Sequence, residues 1–459
     1  MASENWKHLD VGKIADQSAL NSNDMTKMQL KCLVLSLLLV ILTSVNGERA
    51  VCTEDYTPCT CDSSTGRWDV ICDQVPIEQV KSLFNRTTPQ DLASFRLTTA
   101  FNETNGIPDN LLGNSRASGI IINCLEASYE LQINDNAFIS SANFTKTVTI
   151  NGCYLIQQRN FMFLSGFGDM TSLNIYNSRN FTSFLGIPSQ SSLYYISILN
   201  SRGFENLLDS DAVALPGLRI LYLYDNDMND LAVSNVLKAL ALSSLESLEE
   251  LRLYNNRLTR IPAMISSFSK LSQLMMANNK IDLIVTRSLA FYGDVSYLHL
   301  GNNNIRTIEP SAFGAHRFGL VYLHQNSLTH FESYVFQVML EGMVQAGYGS
   351  VSLFQNPIEC DCHLAWLIYY KRNLLPVIDG GQCSNSTLFT DLNPDALSGC
   401  PVFTCPANID GNFPNPLSCT SYYACSRQDV VLVECPGGLV FNPAYQLCDW
   451  PYNVPTCNV

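Results

Sequence analysis

Residues 218–226 read LRILYLYDN and residues 248–256 read LEELRLYNN. Both place leucine first, fourth and sixth and asparagine ninth: Leu218, Leu221, Leu223, Asn226, then Leu248, Leu251, Leu253, Asn256. The frame returns as Leu271, Leu274, Met276, Asn279, as Val295, Leu298, Leu300, Asn303, and as Phe318, Val321, Leu323, Asn326. Its loosest copy is Tyr348, Val351, Leu353, Asn356, and successive asparagines stand 30, 23, 24, 23 and 30 residues apart. Inward leucines alternating with outward residues are the period-two signature of a strand. The asparagine amide can pair backbone groups in the buried turn that follows. One unit cannot bury its own apolar face, so the units must stack.

Frame and period are those of the leucine-rich repeat. Upstream the pattern persists without the asparagine, as Leu92-Phe95-Leu97-Ala100, Ala117-Ile120-Ile122-Leu125, Thr145-Val148-Ile150-Cys153, Met170-Leu173-Ile175-Ser178 and Leu193-Ile196-Ile198-Ser201. About eleven repeats are therefore expected over residues 92–356. A second apolar set about ten residues after each strand (Ala290-Phe291, Ala312-Phe313, Val335-Phe336) is expected to fill the opposite, convex half.

Composition narrows the function. The chain has 459 residues, only 15% of them charged, and 41 acidic against 27 basic side chains give a net charge of -14. An acidic chain with no long basic run is a poor ligand for nucleic acid or an anionic membrane. Its 17 cysteines cluster before and after the repeats, which points to an oxidising compartment and disulfides. Lys31 precedes an apolar run from Cys32 to Leu42 that is too short to span a bilayer comfortably. Residues 1–47 are therefore read as an N-terminal extension and signal peptide, the signal proper being 28–47 and Met28 its expected start. Removing them leaves 16 cysteines, an even number, and no stable membrane insertion. Asn85, Asn102, Asn143, Asn180 and Asn385 open N-x-Ser/Thr sequons, expected to carry glycans at the surface.

Asn356-Pro357-Ile358-Glu359-Cys360-Asp361-Cys362, with Leu364, Trp366 and Leu367, resembles the C-terminal cysteine cap of extracellular leucine-rich repeat proteins. Cys52, Cys59, Cys61 and Cys72 resemble their N-terminal cap. The caps are read as 48–91 and 357–400. This resemblance implies the pairs Cys52–Cys61, Cys59–Cys72, Cys360–Cys383 and Cys362–Cys400. Cys124 and Cys153 occupy nearly equivalent places in neighbouring repeats and are paired with each other. Spacing also admits zinc on the Cys-x-Cys pair, but secretion and the even count argue against it.

Residues 401–459 form a last module, with Cys405, Cys419, Cys425, Cys435, Cys448 and Cys457 separated by 13, 5, 9, 12 and 8 residues. So small a unit needs its crosslinks, whose pairing the spacing leaves open. Asp410-Gly411, Phe413-Pro414, Tyr422-Tyr423, Gly438-Leu439-Val440-Phe441-Asn442 and Cys448-Asp449-Trp450-Pro451 resemble the peritrophin-A type of chitin-binding module. That resemblance implies Cys405–Cys425, Cys419–Cys457 and Cys435–Cys448, a hairpin-rich fold, and binding to chitin or another N-acetylglucosamine polymer. Aromatic rings suit the apolar face of a pyranose. Tyr422, Tyr445, Trp450 and Tyr452 are the candidates, whereas Phe413 and Phe441, and Tyr423 with them, are expected to be buried.

The expected class is α/β, a curved leucine-rich repeat solenoid with disulfide caps plus a separate small disulfide-rich β module. Tyr222, Tyr224, Arg252, Tyr254, His299, Tyr322 and His324 fall on its concave face, His299 and His324 in turns read as one removed from each other. They are read as the surface for an extracellular protein or glycan, aromatics offering contact area with a polar tip. No catalytic motif, cofactor site or metal site is expected. The leading reading is a secreted non-enzymatic adaptor, anchored to a chitinous matrix such as cuticle or gut lining by its tail. A second is innate recognition of microbial glycans. The repeats also resemble secreted crustacean leucine-rich repeat proteins likened to the non-catalytic subunit of a shrimp luciferin 2-monooxygenase. That likeness implies a third reading, the partner subunit of a secreted luciferase or oxidase.

Overall fold

Strand pairing follows the register of the repeat frames. A computed structural model describes residues 52–457 apart from 64–66, 100–105, 126–129, 156–160, 190–191, 208–212, 245, 315–316, 407–408 and 428. The expected signal peptide and the Asn102 sequon lie outside the described residues. Fourteen strands join in chain order into one sheet. They are β1 (Thr60–Asp62), β2 (Trp68–Asp73), β3 (Asp91–Thr99), β4 (Arg116–Cys124), β5 (Thr147–Asn151), β6 (Ser172–Tyr176) and β7 (Tyr195–Leu199). β8 (Ile220–Tyr222), β9 (Glu250–Arg252), β10 (Gln273–Met275), β11 (Val295–His299), β12 (Phe318–Tyr322), β13 (Ser350–Ser352) and β14 (Ile378–Asp379) complete it. β1 and β2 pair antiparallel and every later pair is parallel.

The fourth place of each frame falls in one row across the sheet. Phe95, Ile120, Val148, Leu173, Ile196, Leu221, Leu251, Leu274, Leu298, Val321 and Val351 are successive partners. All are essentially inaccessible to solvent, as the stacked-unit argument requires. Behind the sheet, Phe95, Phe138 and Phe163 touch in sequence, and so do Phe318, Phe313, Phe336 and Phe331. Ala290 was expected in this core, but it is half-exposed and Leu289 takes the buried place.

Repeat length sets what the convex side is made of. The two 30-residue spacings hold helices, α2 (Asp230–Ser244) and α3 (Ser333–Ala346), while the intervening shorter repeats close with one-turn 3-10 segments or two-residue strands. At the N-terminal end α1 (Ile77–Arg86) buries Ile77, Val80, Leu83 and Phe84. Eight disulfides cross-link the described residues. Cys52–Cys61 and Cys59–Cys72 close the first end, Cys124–Cys153 ties two early repeats, and Cys360–Cys383 and Cys362–Cys400 close the other end. Cys405–Cys425, Cys419–Cys457 and Cys435–Cys448 staple the last module. With these thiols in disulfides, the Cys-x-Cys pair has no thiolate to give to zinc. Among the described residues no helix is long and apolar enough to cross a membrane.

Candidate carbohydrate and partner surfaces

The last module consists of a three-stranded antiparallel sheet, β15 (Gly411–Asn415), β16 (Ser418–Ser426) and β17 (Asp429–Glu434), and a hairpin, β18 (Val440–Asn442) with β19 (Leu447–Asp449). Phe413 and Phe441 are buried, and Tyr423 is half-buried with its ring flat on Phe403, centroids 4.7 Å apart. The module keeps its own sheets and disulfides, as expected, and also packs against the solenoid. Its small core of Phe403, Cys405, Phe413 and Cys425 is completed by Tyr334 of α3, whose ring lies 5.6 Å from Phe413 and 6.2 Å from Phe403. Gln337 of the same helix donates to the Pro416 carbonyl at 3.1 Å, and the Ser311 hydroxyl to that of Pro443 at 2.8 Å.

Three of the four aromatic candidates present their rings to solvent: Tyr445, Trp450 and Tyr452 are 61%, 55% and 76% exposed. Tyr422 is not among them, because its ring is half-covered by Phe441 at 4.9 Å. Trp450 and Tyr452 lie within 7° of parallel, with centroids 6.5 Å apart. Asp449 holds their loop. One carboxylate oxygen accepts from the Trp450 backbone N–H and the Asn453 amide, and the other from Asn442. Those bonds, Asn453 foremost, keep the Asp449 carboxyl below its usual range. The Arg287 guanidinium of the solenoid sits 5.8 Å from the centre of the Tyr445 ring.

On the strand face, side chains between the inward leucines form two clusters. Tyr224 stacks on Tyr254 with centroids 4.2 Å apart, and Arg252 lies over Tyr222 at 4.1 Å. Glu250, which the sequence reading passed over, accepts from both Arg252 (2.6 Å) and the Tyr222 hydroxyl (3.1 Å). The second cluster joins Tyr297, also unread, to His299, Tyr322 and His324. The two histidines belong to adjacent repeats, not one turn removed, with rings 5.3 Å apart. Gly301 makes that possible, since a Cβ there would stand 2.7 Å from His324 Nε2. Burial first, then His324, lowers the His299 pKa to about 4, and burial also lowers that of His324. Both rings are therefore neutral at neutral pH.

Of the sequons, Asn85, Asn143 and Asn385 are exposed. Asn180 is half-buried and its amide nitrogen donates to the Leu155 carbonyl at 2.6 Å, so a glycan there would have to displace a packed contact.

Parallel strands in single register, disulfide-closed ends and a stapled aromatic-bearing tail define the class: a leucine-rich repeat solenoid carrying a peritrophin-A chitin-binding module. Residues 405–457 match the model of the chitin-binding peritrophin-A domain, and residues 247–268 that of the leucine-rich repeat. Over 77% of its length the chain is 24% identical to the Oplophorus-luciferin 2-monooxygenase non-catalytic subunit of Oplophorus gracilirostris, covering 89% of that protein. The tail is 36% identical to chondroitin proteoglycan 2 of Caenorhabditis briggsae, over 12% of this chain and 11% of that one. Among solved structures, an internalin of Listeria monocytogenes is similar over 71% of this chain and 93% of its own, with 18% identity and a TM-score of 0.40.

Proposed function

We propose that this chain is a secreted, non-enzymatic adaptor that binds chitin through its C-terminal module and holds a protein or glycan partner on its strand face. The observation that carries the reading is the exposed, nearly parallel pair Trp450 and Tyr452 on a loop braced by Asp449. Pyranose rings present apolar C–H faces that such rings cover, while polar groups around them bond hydroxyls and acetamides. Eight disulfides support an extracellular setting, and cuticle, gut lining or another chitinous matrix is the destination such a module serves.

The full chain should pellet with chitin beads at neutral pH. Trp450→Ala and Tyr452→Ala should each weaken retention by about 1–3 kcal/mol, as for other aromatic stacking contacts, with the circular dichroism spectrum unchanged. A double variant that pellets like wild type would move the sugar site elsewhere.

A second reading is supported by the likeness to the Oplophorus non-catalytic subunit, which runs through the repeats and beyond. On it, the tyrosine–histidine face seats a secreted luciferase or oxidase. Affinity purification from native tissue separates the two, because a stoichiometric co-purifying enzyme supports the second and cuticular proteins support the first.

A further inference from the structure

Two segments far apart in sequence place five metal-ligating side chains together where the last repeat meets its cap. His330 and Glu332 precede α3, and Glu359, Asp361 and His363 follow the last strand frame. The Glu359 N–H donates to the Thr329 carbonyl at 2.8 Å, which brings the two segments side by side. The imidazoles of His330 and His363 are 4.5 Å apart, and donor atoms of His330, Asp361 and His363 all lie within 4.8 Å of one another. His330 Nε2 stands 3.8 Å from a Glu359 oxygen and 3.9 Å from one of Asp361. These separations are too long for hydrogen bonds, and they exceed the roughly 3.4 Å between two donors bound tetrahedrally to one ion at about 2.0–2.2 Å, so side-chain adjustment draws the donors in when the ion binds. His330 Nδ1 is engaged by the Thr329 hydroxyl at 3.0 Å, leaving Nε2 turned to the carboxylates. An orienting partner on the other ring nitrogen is the usual support of a metal-bound imidazole.

We infer that His330, Asp361 and His363, with Glu332 and Glu359 as neighbouring carboxylates, bind one divalent transition-metal ion. Two imidazoles with carboxylates select zinc or a similar first-row ion over calcium and magnesium. The frame is rigid for this purpose: Cys360 and Cys362, the residues between the ligands, are each tied by a disulfide to a later part of the cap, at Cys383 and Cys400. The ion clamps the last repeat to its cap. It does so at the wall of a cleft of about 610 Å³ whose other residues include Cys405, Pro406 and Ile409 of the chitin-binding module. The Glu332 oxygen 2.9 Å from His363 Nδ1 holds that imidazole in place at the site.

The test uses the full secreted chain, stripped with dipicolinate and titrated with zinc chloride in a calorimeter. One ion per chain should bind saturably, and zinc should raise the melting midpoint. His330→Ala and His363→Ala should each weaken binding by roughly tenfold or more and abolish the midpoint shift. Glu359→Gln, an exposed and structurally mild change, should also weaken binding, which guards against a folding artefact in the histidine variants. Absence of saturable zinc binding to the wild type, or wild-type affinity in all three variants, overturns the inference.

Discussion

His299 shows how one residue type changes its chemistry with its setting. Its Nδ1 accepts from the Gly301 backbone N–H at 3.2 Å, and its ring lies against Tyr322, centroids 5.0 Å apart. Burial of the uncharged ring first, and the neighbouring His324 second, lower its pKa to about 4. The unfolded chain binds this proton near the ordinary histidine value and the folded chain does not. The stabilisation is therefore complete above about pH 6.5 and is lost as pH falls towards 4. Urea midpoints measured at pH 7 and pH 4.5 should differ less in His299→Gln than in wild type, by up to about 2–3 kcal/mol. Equal slopes in both would show that His299 is solvated. The strand-face residues were legible because they alternate with inward leucines. Glu250 and Tyr297 alternate with inward leucines in the same way, so the sequence places them on this face as well. The His330 cluster was not legible, since sequence separates its two halves by a whole helix-bearing repeat.

At the scale of the element, the ninth-place asparagine decides how repeats join. Asn279 donates to the carbonyls of Leu253 and Met276, both at 3.0 Å, and accepts from the Leu258 N–H at 3.0 Å. Asn256, Asn303, Asn326 and Asn356 are bonded in the same way, and Asn226 donates to the Ile198 carbonyl and accepts from the Ser201 N–H. Upstream a hydroxyl takes part of this duty: Ser201 Oγ accepts from the Ser178 N–H, and Ser178 Oγ from the Cys153 N–H. Those two frames read weakly yet stack in register, since each serine satisfies one donor and one acceptor (Ser178 donates to Tyr176, Ser201 to Leu199) where an amide satisfies a donor and two acceptors. Asn279→Ala should then cost about 3 kcal/mol or more, leaving several buried groups unpaired, and Ser178→Ala about 1–2 kcal/mol. Chemical denaturation of both variants checks the ranking, and equal losses would mean the ladder is not amide-borne. A second ladder escaped the sequence reading. The eighth-place Asp225, Asn255, Asn278 and Asn302 have positive φ, and Asn255 and Asn278 each donate to the eighth-place side chain of the preceding repeat, as Asn302 does to Asn278. Short polar side chains tolerate that left-handed backbone best, which gives the paired Asn-Asn its physical reason.

Across the whole molecule, the consequential feature is the seating of the chitin-binding module on the solenoid. A unit of its size buries little on its own, and here it borrows a ring from outside its own sequence. Nothing in the spacing of its cysteines announces the loan, because Tyr334 lies in α3 among residues that read as ordinary repeat core. The contact spans Tyr334 with Phe403 and Phe413, Gln337 with Pro416, Ser311 with Pro443 and Arg287 with Tyr445. These partners come from three different repeats, so they resist rotation of the module as well as detachment. A partner on the strand face would thus stand in fixed geometry to the polysaccharide, which a tether alone would not provide. Tyr334→Ala in the full chain should loosen this seating at a cost of about 3 kcal/mol, the usual scale for deleting a packed aromatic ring. The three disulfides and the exposed rings remain, so chitin pelleting should persist. Limited proteolysis should instead cut the variant between Cys400 and Cys405 under conditions where wild type resists, since that segment is held by the contact it precedes. Small-angle scattering should report a larger radius of gyration for the variant. If wild type and variant are cut at the same rate, the module is tethered and not seated, and the fixed geometry between matrix and partner fails with it.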